Sequence, residues 1–211
     1  MFISCDEIDE SPAEVNMKMS FDGNVDNNLQ FSNLNLVIDE ITVEADKENG
    51  EKFTFTENLN QENFSLSNGT TESLFKFNLP PAIYSNITVE ISLRENQDDN
   101  SIVFTGSLMS RNPMQSDLPI LFEQPGRELV DLKIKPKSGG NEIVVQRGEN
   151  IEALIKIEAS YIFQPINPGL LIAAENIPID GINTVLINRN NNPEIYNLIS
   201  SRIKQSFSAS F

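Results

Sequence analysis

Acid–base, nucleophilic and metal chemistry each need particular side chains, and this 211-residue sequence carries few of them. It holds a single cysteine, Cys5, and neither histidine nor tryptophan. The usual nucleophile–base pairs, cysteine-based zinc sites and most transition-metal sites are therefore out of reach. A lone cysteine also cannot close a disulfide within the chain. Carboxylates are abundant, but their placement argues against catalysis. Glu7 with Asp9, and Asp98 with Asp99, lie in polar tail or turn sequence, where a solvated charge is the simpler role than a glycosidase pair facing across a cleft. Asp39 and Glu40 are adjacent on a strand and so point to opposite faces. The loop from Gly23 to Asn28 offers Asp and Asn oxygens, yet lacks the glycine and glutamate spacing of a helix–loop–helix calcium site. Gly106, Gly139-Gly140 and Gly181 form no phosphate loop. Tyr84 and Tyr161 could stack on a sugar, although strand positions make a core or rim role simpler. The expectation is no catalytic, cofactor-binding or metal-binding residue.

Charge narrows the partners. Fifteen basic against thirty-one acidic residues leave a formal charge of −16. Phosphate backbones and anionic membrane surfaces need clustered Lys and Arg, which are scattered here, so nucleic acid is not an expected partner. No apolar run reaches the eighteen or so residues that a membrane-spanning helix requires. About one residue in eight is Asn, well above ordinary usage. Three of these (Asn63, Asn68 and Asn86) match glycosylation sequons, as chance allows in an Asn-rich chain.

The elements that must hold any site are mostly strands. Residues 84–93 carry the clearest one: Ile87, Val89, Ile91 and Leu93 share a face, and Thr88, Glu90 and Ser92 the other. Pro80-Pro81 fixes the turn before it and withholds two backbone donors. Residues 14–22 alternate through Val15, Met17, Met19 and Phe21. Residues 34–45 read as a strand that changes facing near Asp39-Glu40, and Asn49-Gly50 signals a hairpin into a strand at 52–56. Short strands at 64–69 and 72–79 flank Asn68-Gly69. Further strands are expected at 102–108, 118–122, 129–135, 142–145 and 149–162. Residues 170–174 and 184–188 read as strands or buried segments. Asn192-Pro193-Glu194 starts the one convincing helix, about 193–206, with Ile195, Leu198, Ile199 and Ile203 as its buried stripe; Phe207, Ala209 and Phe211 suggest a last strand.

Cys5 has a distinctive neighbourhood. Phe2-Ile3-Ser4-Cys5 resembles a bacterial lipobox, with bulky apolar residues, a small residue and then the cysteine that carries the lipid. The acidic run Asp6-Glu7-Ile8-Asp9-Glu10 resembles the surface-export signal of Bacteroidetes-type lipoproteins. This implies lipidation at Cys5 and a charged tether behind it, and requires a charged and apolar signal ahead of the lipobox, a stretch this sequence does not contain; the competing reading is an ordinary cytosolic start with Cys5 a bystander thiol.

The order of these elements carries a second resemblance. Leu79-Pro80-Pro81-Ala82-Ile83-Tyr84 running into an alternating strand is similar to the L-P-x-G-x-Y turn–strand motif of an uncharacterised family of bacterial lipoprotein domains. Asn49-Gly50, the segment 64–69, Leu132-Lys133-Ile134-Lys135 and the segment 149–162 follow the same order, so the resemblance covers about residues 14–163. The chain departs from the motif at Ala82, where the family has glycine. The resemblance implies a transthyretin-like or carboxypeptidase-regulatory-like β-sandwich, and with the strand and helix patterns the expected fold is all-β, an antiparallel β-sandwich (transthyretin-like or Ig-like) with one C-terminal helix. The expected organisation is a lipobox remnant and tether at 1–13, a sandwich at 14–165, and a C-terminal extension at 166–211 packed on it. The expected role is a non-enzymatic, lipid-anchored outer-membrane module on the surface or periplasmic side, binding an envelope protein or glycan through loops 96–101 and 111–128. A carbohydrate-binding accessory lipoprotein is the alternative, and a hydrolase using loop carboxylates is less favoured.

Overall fold

The computed structural model describes residues 11–94, 99–110, 114–126, 128–136 and 142–211. Cys5 and the acidic tether lie outside the described residues. Thirteen strands are formed among those residues: β1 (Ala13–Asp22), β2 (Leu29–Lys47), β3 (Lys52–Ser67), β4 (Thr71–Leu79), β5 (Ala82–Leu93), β6 (Asn100–Leu108), β7 (Leu118–Pro125), β8 (Leu129–Lys135), β9 (Ile143–Val145), β10 (Asn150–Glu158), β11 (Asn176–Ile179), β12 (Ile182–Ile187) and β13 (Phe207–Ser210). Three short helices, α1 (Ala159–Phe163), α2 (Pro168–Ala173) and α3 (Pro193–Ser200), lie between β10 and β13.

The expected antiparallel sandwich is not what these strands build. They join one mixed sheet, curled into a half-barrel, in the order β11-β12-β7-β6-β2-β5-β8-β13-β10-β1-β4, with β3 added on β2 and β9 on β5. Three neighbouring pairs are parallel: β1 with β10, β7 with β12 and β8 with β13. Alternation of apolar residues reports which face of a strand is buried. It carries no information on the partner or its direction, and the partners of β1 and β8 arrive from the far end of the chain.

β2 is the bent member that lets a single sheet curl. One of its edges pairs β3 from Asn33 to Asp46. The other edge is shared, with β6 alongside Leu29–Leu36 and β5 alongside Ile38–Lys47. The facing change expected near Asp39-Glu40 is present: Leu34, Leu36 and Ile38 are buried on one side of it, and Ile41, Val43 and Ala45 on the other. Opposite Asp39, β3 bulges through Asn60 and Gln61, both left-handed with φ of 50° and 64°. A bulge of this kind bends the strand and increases its twist. β3 is therefore continuous where two separate strands were expected. Asn68-Gly69 makes a corner rather than a hairpin, because β3 pairs β2 while β4 pairs β1.

The interior is closed by aromatic rings from both parts of the sheet. Phe53 and Phe55 on β3 stack over Phe75 and Phe77 on β4, with Phe55 and Phe77 centroids 4.9 Å apart. Farther along, Phe163 of α1 sits among Phe31 (4.1 Å), Phe104 (5.4 Å) and Phe122 (5.8 Å), and Tyr196 of α3 stacks on Phe122. A five-residue helix is too short to hold itself together. α1 exists because Ala159, Ile162 and Phe163, spaced i, i+3, i+4, are all buried. The strand expected over 149–162 stops at Glu158 for that reason.

Two further expectations need correction. Residues 170–174 belong largely to α2, which Asn167-Pro168 starts: the Asn167 Oδ1 accepts from the Gly169 N–H at 2.8 Å. The C-terminal helix ends at Ser200 rather than 206 and gives way to a 3-10 turn at Ile203–Ser206, which leads into β13. Ile195, Ile199 and Ile203 are buried as expected, but Leu198 is half exposed and Tyr196 fills the core in its place.

Candidate binding cavity

A cavity of about 650 Å³ lies where the β6–β7 pair ends beside the start of β2. Backbone bonding fixes this corner. The Met109 N–H donates to the Asn28 carbonyl at 2.6 Å, and Leu108 is in register with both Leu29 and Leu118. Asp26 secures the approach to β2 by accepting from the N–H groups of Asn28 (2.7 Å) and Leu29 (2.9 Å). α2 supplies the opposite wall.

Leu108, Met109, Leu118, Pro168 and Ile172 give the cavity an aliphatic lining, while Asn28, Ser110, Gln115, Ser116 and Asn167 supply neutral polar edges; Gly169 completes it. None of the eleven residues is ionisable or aromatic. The nearest acid in sequence, Asp117, turns its Oδ1 to the Ser110 N–H at 2.9 Å. Met109, Met114, Leu170 and Ile172, four of the nine exposed large apolar side chains of the described residues, come from the two segments that form this mouth. Such concentration on a protein surface marks an interaction site more often than scattered exposure does.

The residues singled out from the sequence are distributed otherwise. Tyr84 is fully buried, and its hydroxyl donates to the Pro80 carbonyl; burial pushes the phenol up to about 12. Tyr161 is half exposed on α1, away from the cavity lining, and its carbonyl accepts from Arg202 Nε. Gln115, Ser116 and Leu118 of the 111–128 region line the cavity. Of the 96–101 loop, residues 96–98 lie outside the described residues, while Asn100 and Ser101 open β6 at the end away from the cavity.

The described residues at that other end are polar and form ion pairs. Arg94 pairs with Asp99 at 3.5 Å, while Glu128 accepts from Gln124 at 3.2 Å and pairs with Lys204 at 3.7 Å. Asp98 lies outside the described residues. Among the described residues two other groups have displaced protonation, both in surface ion pairs. Lys47 and Asn49 hold the Glu51 carboxyl below the usual range in the β2–β3 turn. Glu158, with Asp22, raises Lys156 on the outer face of β10 against a smaller opposing effect of burial.

Sequence reasoning missed Asn28, Asn167, Pro168 and Ile172 as parts of a site. One signal was present: Asn167-Pro168 repeats the helix-start dipeptide of Asn192-Pro193. No group of three or more acidic, His or Cys side chains suited to a metal ion occurs among the described residues, and no helix among them is long and apolar enough to cross a membrane. Compared with known proteins, the chain matches no family model, no curated protein and no solved structure.

Proposed function

We propose that the chain is a non-enzymatic binding or structural module of the bacterial cell envelope, held at the outer membrane by a lipid on Cys5, on its surface or periplasmic side. The observation that carries the binding reading is the 650 Å³ cavity, among whose described lining residues none is ionisable. Such a cavity can hold a molecule, and its described lining residues bring no general acid, base or nucleophilic thiol to it. Its volume and mixed lining match those of small-molecule sites. The absence of aromatic lining gives a sugar ring no stacking platform there, so the carbohydrate alternative gains no support from the cavity.

The anchor rests on Phe2-Ile3-Ser4-Cys5 and the acidic residues behind it. The turn–strand motif at 79–93 adds its resemblance to lipoprotein domains. The partner class in this reading is an envelope protein, a glycan or a small envelope molecule.

The test is the intact mass and detergent partitioning of the protein made from its native gene in a bacterial envelope. A lipid-sized mass increase and detergent-phase recovery, both lost in Cys5→Ala, are the expected results. An unmodified product that stays in the aqueous phase overturns the anchor and the localisation.

A further inference from the structure

We propose that the end of the sheet at which the N-terminal tether enters rests on the bilayer surface, with Ile83 and Val144 as the side chains that meet the lipid. The proposal relies on the lipid at Cys5 and says which face of the module that lipid turns towards the membrane.

Backbone pairing gathers one set of connections at this end. β1 starts here beside the start of β10, with Glu14 in register with Asn150. Ala13 pairs with Leu79, which brings in the Pro80-Pro81 turn and the start of β5. Lys47 pairs with Tyr84, so the β2–β3 turn lies alongside. The Ser11 carbonyl accepts from the Gly148 N–H at 3.2 Å, in the turn between β9 and β10.

Ile83 and Val144 are direct neighbours across the β5–β9 pair. Tyr84, Ile143 and Val145 beside them are buried, so these two point outwards, 41% and 58% exposed. The Ile83 carbonyl also accepts from the Glu48 N–H at 3.1 Å, which fixes the patch from its other side. Two aliphatic side chains held together in water favour an apolar contact.

Chain length says what that contact is. Cys5 is six residues ahead of Ser11, and six residues reach at most about 20 Å however they run. Val144 is four residues from Gly148, at most about 14 Å along the chain. A lipid on Cys5 therefore holds this end next to the bilayer, and the tether gives even a weak contact a high effective concentration. The described charges at this end are mixed: Lys47 and Lys52 pair with Glu51 and Asp46, and Lys135 and Arg147 stand with Glu48, Glu142 and Glu149. A zwitterionic surface fits them, whereas an anionic one would meet the chain's net charge of −16.

The test exploits a chain with one thiol and no tryptophan. Cys5 is coupled to a maleimide phospholipid in phosphatidylcholine vesicles that carry brominated acyl chains. Tryptophan is introduced by Val144→Trp or, as the control, by Ile182→Trp, an exposed site on β12 in the far branch of the sheet. The Val144→Trp emission should shift to the blue and be quenched by the brominated lipid, while the Ile182→Trp emission stays as in the soluble chain. Ile83→Glu, added to Val144→Trp, should abolish both changes and leave the thermal midpoint of the soluble chain unchanged.

Unshifted emission from Val144→Trp in the coupled chain overturns the proposal, as does equal quenching of both variants, or quenching that survives Ile83→Glu. Crosslinking of an unquenched position 144 to an envelope protein in cells would make the patch a protein interface, and overturns it too. Lipid on Cys5 in the native envelope without quenching in the coupled chain removes the docking and leaves the anchor. Quenching with Cys5 unmodified in cells removes the anchor and, with it, the native docking.

Discussion

The Tyr84 hydroxyl donates to the Pro80 carbonyl oxygen across 2.6 Å, tying the start of β5 back to the proline turn that feeds it. Pro80 and Pro81 lack N–H groups, so the turn cannot be pinned by their own backbone donors. The buried phenol supplies the missing link.

Tyr84→Phe should destabilise the fold by about 1–2 kcal/mol in urea denaturation, because it leaves the Pro80 carbonyl without this donor. The same bond has a pH signature. Burial raises the folded-state phenol to about 12, above its unfolded value of about 10. The stabilising contribution is therefore whole below pH ~10 and is lost as pH rises towards ~12. The stability difference between the unaltered chain and Tyr84→Phe should shrink across that interval. A difference that stays constant from pH 8 to 12 would show that Tyr84 titrates normally.

Phe163 is the ring on which the interior aromatic cluster converges, so Phe163→Ala should cost about 3–5 kcal/mol. α1 is held by the buried side chains of Ala159, Ile162 and Phe163 and by the Arg202 Nε bond to the Tyr161 carbonyl. Hydrogen exchange at 159–164 should accelerate more than exchange in β1 or β5. Uniform acceleration would mean that α1 is not a separately held element.

Asn192 was expected to cap α3, and its position is right but its role is different. Its backbone is left-handed (φ 52°, ψ 50°), and the side chain makes no capping bond to α3. It instead donates to the carbonyls of Glu175 (2.9 Å) and Leu186 (2.8 Å) and accepts from the Glu175 N–H (2.9 Å). Asn192→Ala should lose about 2–3 kcal/mol, through these bonds and through the left-handed backbone. Asn192→Gly keeps the backbone at ease and should be about 1 kcal/mol less damaging. Equal losses, read from chemical denaturation, would assign the whole effect to the side chain.

Gly106 meets β2 too closely for any side chain. A Cβ there would lie 2.3 Å from the Gln30 carbonyl oxygen and 2.7 Å from the Phe31 Cα, both backbone atoms that cannot rotate away. Gly106→Ala should separate β6 from β2 and cost about 2–3 kcal/mol. Gly50→Ala is the contrast: its φ is +86° but nothing lies within 4 Å of the new Cβ. Its expected loss is about 1–2 kcal/mol, from backbone strain alone. A thermal melt of each variant ranks the two.

Much of the strand inventory was legible in the sequence. Ile87, Val89, Ile91 and Leu93 are all buried, as their period-2 spacing requires, and so are Val15, Met17, Met19 and Phe21. Gly50 and Gly69 take the positive φ that the two Asn-Gly dipeptides signalled. The cavity was less legible. Its described walls come from residues 28, 108–110, 115–118 and 167–172, none of which alternates strongly, and nothing local records that they meet.

By itself, the sequence determined which segments extend, where several of them turn, which face each strand buries, and that no histidine or thiol pair is available for chemistry. These are local properties, set by side-chain period, by Gly and Pro dihedrals and by composition. Only the tertiary structure decided that β1 runs parallel to β10, that β2 shares one edge between β5 and β6, and that β13 enters between β8 and β10. Pairing joins residues far apart in the chain through backbone groups that every residue carries, so side-chain patterns do not encode the partner. The same holds for the cavity: residues unremarkable one by one came to line one space when α2 came to face the end of β6 and β7.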